Sequence, residues 1–270
     1  MNGPHFLLEG IDIERLGFAA CLTFDQRGTD CLDFGAALLL AGRDERRLNE
    51  VRAALPEEAA VVVADLTSTD GIARTARAAE QFRANVLINN AGAGAFGLLE
   101  NQPWATVEQV LATSLEAPIH LTHALLPWLR AQPQAAIVNI GSTFGSIPFA
   151  GFAAYSAAKA GLRGFSQALR RELADTLVSV IHISPRAIDT PMNSEAVNRL
   201  NRELDTPSDS AETVARQIVA ALSRNDTERH LGFPERLFAW LNGVAPGLVD
   251  RGVAGKLAAV KRHAPPHLSH

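Results

Sequence analysis

A chain of 270 residues accommodates one large domain or two small ones at roughly 150 residues per domain. Its 47% hydrophobic and 20% charged content excludes the low-hydrophobicity, high-charge composition of disordered chains. With 25 Lys and Arg against 29 Asp and Glu, the net charge of -4 leaves no electrostatic footprint for DNA or RNA. The two cysteines, Cys21 and Cys31, can build neither a disulfide framework nor a four-cysteine metal site, which is the inventory expected of a cytoplasmic protein. The histidines show no ligand spacing, so no metal is expected.

At the amino end, Met1 to His5 carries no basic stretch, and the apolar run after it is broken by Glu9, Asp12 and Glu14, so no secretory signal is expected. No apolar run approaches the roughly 20 residues of a transmembrane span. Between Leu16 and Gly35, the residues Gly17, Asp25, Gly28, Asp30, Asp33 and Gly35 punctuate the chain, and no strand-turn-helix pattern can be written through them.

From Ala36 the pattern changes. Short apolar runs at Ala36 to Ala41, Ala60 to Ala64, Asn85 to Asn89, Ala136 to Gly141 and Val178 to Ile183 predict strands buried on both faces. Amphipathic stretches at 44 to 54, 69 to 83, 104 to 130, 152 to 175 and 211 to 223 predict the helices between them, several opening on an Asp, Ser or Thr cap. Alternation of this kind predicts an α/β fold: a doubly wound, Rossmann-like parallel sheet in a single domain. Residues 1–35 form a divergent amino-terminal segment, 36–225 the cofactor-binding and catalytic part, and 226–270 a carboxyl-terminal appendage of the same domain.

Tyr155 and Lys159 stand at i and i+4 of a predicted helix and share one face. A phenol with an ordinary pKa near 10 needs a neighbouring cation to work as a general acid or base at neutral pH, and Lys159 supplies one. Ser142 lies thirteen residues earlier, at the end of a predicted buried strand, where its hydroxyl can bond the same substrate oxygen. The run Asn89-Asn90-Ala91-Gly92 follows another apolar strand, and its small residues allow a ligand close approach to the strand's carboxyl end.

Together these residues resemble the short-chain dehydrogenase/reductase family, whose pattern has N-N-A-G after the fourth strand, a serine after the fifth and Y-x-x-x-K on the next helix. The likeness covers roughly residues 36 to 225 and extends to Pro185-Arg186-Ala187-Ile188-Asp189-Thr190, similar to the family's P-G-x-x-x-T loop with Arg186 in place of glycine. It implies an oxidoreductase that transfers a hydride between a nicotinamide and a carbonyl or alcohol, with Ser142, Tyr155 and Lys159 catalytic. Asn90, Ala91, Gly92, Pro185, Ile188 and Thr190 would contact the cofactor together with Tyr155 and Lys159. Asp65 and Leu66, closing the third predicted element, resemble the family's acid beside the adenine. Arg43, at the end of Ala36 to Ala41 with Arg47 one turn on, points to NADP(H), because a guanidinium accepts a 2′-phosphate where a carboxylate would bind a free ribose hydroxyl.

Two departures stand out. The family's phosphate-binding T-G-x-x-x-G-x-G turn, due near Phe18, is missing, and the G-x-G-x-x-G from Gly92 to Gly97 follows the wrong strand to replace it. Ser114 occupies the place of an asparagine that supports a proton relay to the lysine, and a shorter side chain weakens such a relay. The missing turn leaves an alternative open: a non-catalytic or cofactor-impaired member of the same fold. Lastly, Phe233, Leu237, Phe238, Trp240, Leu241, Val244, Leu248 and Val249 exceed what a short appendage can bury on itself. They are expected to meet the pocket rim, a second subunit of a homo-oligomer or a membrane surface, and an apolar substrate is expected.

Overall fold

The computed structural model describes residues 19–23, 37–53, 59–188 and 193–266. Its strands are β1 (Ala19–Thr23), β2 (Ala37–Gly42), β3 (Ala59–Val63), β4 (Val86–Asn89), β5 (Ala135–Ile140), β6 (Val178–Ser184) and β7 (Glu228–His230). They form one sheet in the order β3-β2-β1-β4-β5-β6-β7. The helices are α1 (Glu45–Ala53), α2 (Thr69–Gln81), α3 (Trp104–Leu111), α4 (Ala117–Arg130), α5 (Ala153–Glu172), α6 (Glu195–Glu203), α7 (Ala211–Ser223), α8 (Glu235–Val244), α9 (Pro246–Ala254) and α10 (Leu257–His263).

The unalternating apolar strands follow from burial on both faces. Leu38 and Leu40 of β2 pack with Leu48 of α1 and Ile218 of α7. Leu39 and Ala41 turn to the other side, against Ile72 of α2 and Leu121 of α4. Strand β5 divides likewise: Val138 and Ile140 join the first layer, Ala135 and Ile137 the second. The five predicted strands appear as β2 to β6, parallel within β2–β3 and β4–β5–β6, and β7 continues the parallel set beside β6.

Strand β1 departs from this pattern. It pairs antiparallel with both neighbours, Ala19 opposite Ala41 and Thr23 opposite Ala37 on one side, Ala20 opposite Ile88 on the other. The chain therefore enters β1 at the sheet edge where β2 and β4 end and leaves it at the opposite edge. Among the described residues, no helix start follows β1 at the carboxyl edge of the sheet.

The helix expected over 104–130 is divided by a π-helical turn at Ala112–Glu116. Pro118 has no N–H to donate to the carbonyl four residues back, that of Ser114, and the ladder widens there. Helix α10 lies against α6 through Leu200, Ala259 and Val260. Among the described residues, no helix is long and apolar enough to cross a membrane, and no group of three or more potential metal ligands forms.

Candidate active site

The carboxyl end of β5 leads into a tight turn at Thr143–Gly145, where the Ser142 hydroxyl accepts from the Phe144 N–H at 3.2 Å. Thr143 fixes this turn to the end of β6, its N–H and hydroxyl donating to the Pro185 carbonyl at 2.8 and 3.0 Å. Gly145 lets the turn lie on α5: a Cβ there would stand 2.8 Å from the carbonyl carbon and oxygen of Lys159. Lys159 is buried and donates from Nζ to the Ile140 carbonyl at 2.8 Å. Its ammonium is 5.8 Å from the centre of the half-buried Tyr155 ring. Glycine at 145 and the Ile140 carbonyl thus lock the serine turn, the tyrosine and the lysine into one unit.

Next to this unit lies the end of β4. A Cβ on Gly92 would be 3.8 Å from Lys159 Nζ and 3.7 Å from Ser114 Oγ, so the glycine backbone adjoins the lysine head. Asn90 is half-buried beside it, and Ala91 packs into the core. Ser114 is fully buried; its hydroxyl accepts from the Ala93 N–H at 3.1 Å and donates to the Ala93 carbonyl at 3.2 Å. Its hydroxyl thus holds the backbone that follows Gly92. Asn89, read as part of the ligand-approach motif, turns inward and donates to Thr122 Oγ1 at 3.0 Å and to Asn139 Oδ1 at 2.8 Å.

Across the β2–β3 end, Arg43 is exposed close to Asp65. The Asp65 carboxylate accepts from the Thr67 N–H at 2.9 Å and its hydroxyl at 2.8 Å; these bonds, helped by the Arg43 charge, hold it below the usual carboxylate range. Leu66 turns its side chain into the core beside Ile72. Arg47 is exposed on α1, and its N–H is held by Asp44 Oδ1 at 3.0 Å.

Past β6, Ile188 is likewise a core residue, packed with Val214 and Leu231, and its carbonyl accepts from Asn193 Nδ2 at 2.8 Å. Leu66 and Ile188 therefore present backbone, not side chain, to the sheet edge. Arg186, standing where the family has glycine, is drawn away by a two-pronged contact with Asp209, at 2.9 and 2.7 Å, with Glu235 at 3.8 Å. Thr190 lies outside the described residues.

An aromatic wall unmarked in the sequence reading surrounds the tyrosine. Phe144 and Phe152 meet Tyr155 edge-on, with ring centres 6.4 and 6.5 Å away. Phe149 stacks on Phe144 at 5.5 Å, and Phe96 lies 5.1 Å from Phe152. Val260 of α10 closes over Phe96, Phe149 and Phe152. Three of these rings fall between Ser142 and Tyr155, and their crowding into nine residues was a readable cue to an apolar wall.

Residues 16–201 match the family model for short chain dehydrogenase. The chain belongs to the short-chain dehydrogenase/reductase family. An uncharacterized oxidoreductase of Staphylococcus epidermidis is 31% identical over 192 residues, 70% of this chain and 81% of that protein. Two crystal structures share the fold. A short chain dehydrogenase from Burkholderia cenocepacia in complex with NADP is 24% identical with a TM-score of 0.69, covering 83% of this chain and 89% of that one. A short-chain dehydrogenase/reductase from Burkholderia phymatum in complex with NAD is 21% identical with a TM-score of 0.68, covering 78% and 85%. Short-chain dehydrogenase/reductases are oxidoreductases that bind a nicotinamide cofactor. The lysine head beside the open Gly92 backbone fits a ribose and its nicotinamide, and the exposed Arg43 with an ionised Asp65 fits the adenosine end. Between them runs β1, antiparallel to both of its neighbours.

Proposed function

We propose that the chain is an NADP(H)-dependent oxidoreductase interconverting a carbonyl and an alcohol on a small apolar substrate. The observation that carries this reading is the unit formed by the Ser142 turn, Tyr155 and Lys159, locked through Gly145 and the Ile140 carbonyl. When bound, the nicotinamide supplies or accepts the hydride at its C4. Tyr155 exchanges the proton at the substrate oxygen, and Ser142 donates a hydrogen bond to that oxygen. Lys159 offsets the negative charge that develops on the phenol oxygen and holds the ribose hydroxyls. The Asn90 to Gly92 backbone and the loop from Pro185 to Ile188 line the cofactor, with Asp65 and Leu66 at the adenine.

Arg43 supports NADP(H): an exposed guanidinium at the end of β2 suits a 2′-phosphate. The rings of Phe144, Phe149 and Phe152 support an apolar substrate, since aromatic walls desolvate apolar groups and leave one polar corner for orientation. The two-cysteine inventory supports a cytoplasmic setting.

A second reading, a cofactor-impaired member of the same family, has one observation in its favour, the antiparallel course of β1. Titrating the purified full chain with NADPH and with NADH separates the two. Tighter binding of NADPH, followed by its oxidation when an aromatic ketone is added, is the expected result. Equal affinities would remove the assignment to NADP(H), and a folded chain that binds neither would leave the second reading.

A further inference from the structure

Helix α8 is turned inside out. Two of its polar residues face the protein: Glu235 reaches Arg186 at 3.8 Å, and Asn242, two turns later on the same side, donates from Nδ2 to the Ser146 carbonyl at 2.8 Å. Leu237, Trp240 and Val244, spaced i, i+3 and i+7, occupy the opposite face and are 49%, 66% and 63% exposed. Surface helices ordinarily bury the apolar stripe and expose the polar one. Phe233 before the helix and Leu248 on α9 extend the patch, at 77% and 57% exposure. A contiguous apolar surface of this kind marks an interaction site.

The charge around the patch selects its partner. Residues 233–266 contain Arg236, Arg251, Lys256, Lys261 and Arg262 against Glu235 and Asp250, a net of +3 in a chain whose total is -4. Arg262 is paired with Glu203, and Glu235 is turned inward to Arg186. Arg236, Arg251 and Lys261 have no ion-pair partner among the described residues, and Lys256 has its ammonium 5.8 Å from the centre of the Phe149 ring. Two copies meeting through this face would oppose cation to cation, which disfavours self-association. An anionic lipid surface complements it: the indole sits at headgroup depth, the aliphatic stripe enters the acyl boundary and the flanking cations meet lipid phosphates.

We infer that α8 and the start of α9 form a docking surface for anionic membranes, on which the protein lies without spanning the bilayer. The test is co-sedimentation of the full chain with vesicles of phosphatidylcholine alone and of phosphatidylcholine mixed with phosphatidylglycerol, at low and raised salt. The chain is expected to pellet with the mixed vesicles, stay in solution with the neutral ones and be released by salt. Trp240→Ser with Val244→Ser is expected to weaken partition at least about tenfold by removing the buried apolar area, with the thermal midpoint unchanged because both side chains are exposed. Arg236→Ala with Arg251→Ala is expected to weaken it by about tenfold on the anionic vesicles. A chain that pellets with neither vesicle, or equally with both, would overturn the proposal. So would a native dimer on a sizing column that the Trp240 and Val244 changes convert to monomer without affecting sedimentation, since that assigns the face to a second copy.

Discussion

Lys159 is placed by more than its helical spacing from Tyr155. The carbonyl of Ile140 accepts a hydrogen bond from its ammonium, and Gly145 allows the serine turn to press on the same stretch of α5. Deleting the phenol hydroxyl therefore removes the proposed proton carrier without disturbing the frame, because the aromatic contacts to Phe144 and Phe152 survive in phenylalanine. Tyr155→Phe is expected to lower kcat by at least about a hundredfold with an unchanged unfolding midpoint, measured by NADPH oxidation alongside thermal melting. In the proposed function Arg43 acts at the other end of the cofactor. A charge-assisted contact to a phosphate contributes about 1.5 to 3 kcal/mol, so Arg43→Asp is expected to cut the ratio of NADPH to NADH affinity by about tenfold to a hundredfold. A ratio that does not move in paired titrations would assign Arg43 to the solvated start of α1.

At the scale of elements, the junction between β3 and α2 depends on one glycine. A Cβ on Gly71 would lie 1.9 Å from the Asp65 carbonyl oxygen, a backbone atom that cannot move aside, while Ser68 caps the helix by accepting from the Gly71 N–H at 3.0 Å. Gly71→Ala is expected to destabilise the fold by about 3 kcal/mol or more, read as a lowered urea midpoint, and to loosen the Asp65 turn proposed to face the adenosine. Much of this level was legible in the sequence. Runs such as Leu38 to Ala41 and Ala135 to Ile140 lack alternation because both faces are covered, and that pattern identified β2 to β6 and the helices between them. Ser142, Tyr155, Lys159 and the Asn90 to Gly92 turn were legible for a related reason: their spacing is fixed by the strand ends they follow. Other features were not. The five residues of β1 carry no turn chemistry that declares a direction, so their antiparallel pairing is decided by neighbours distant in sequence. The π-helical turn needed the link from Pro118 back to Ser114, and the inward aim of Leu66 and Ile188 depends on which layer covers each strand end. Helix α6 opens on a recognisable Ser194 cap, yet its moderately polar sequence resembles a solvated loop until α10 is seen packed upon it.

Across the whole molecule, a buried polar chain ties the middle of the sheet together. Thr122 on α4 is linked through Asn89 of β4 to Asn139 of β5, on to Ser166 of α5 and then to Nδ1 of His182 on β6 at 3.1 Å. His182 is almost completely enclosed, and Gly141 makes room for its ring, since a Cβ there would lie 2.4 Å from Nε2. Burial pushes its pKa down to about 3; the charges of Lys159, Arg163 and His230 act in the same direction, and Glu228 opposes them. The folded protein therefore keeps His182 neutral at pH values where the unfolded chain, near the ordinary 6.5, takes up a proton. More protons bound in the unfolded state means that stability is present above about 6.5 and is lost as pH falls from there toward about 3. The slope from this one group is at most about 1.4 kcal/mol per pH unit. His230, also lowered chiefly by burial, acts in the same sense. Although burial opposes it, hydrogen bonds from Gln167 and Arg163 hold the Glu228 carboxyl below its ordinary value of 4.5, so its share of the loss begins only at more acidic pH. Between about 4.5 and 6.5 the histidines govern the slope. His182→Gln, neutral at every pH, is expected to be less stable than the native chain at pH 7 but to lose stability more slowly on acidification, so that the two urea-derived stability curves converge by about pH 5. Curves that stay parallel across this window would show that His182 shares its proton equally between folded and unfolded states, and would remove it from the pH response of the sheet.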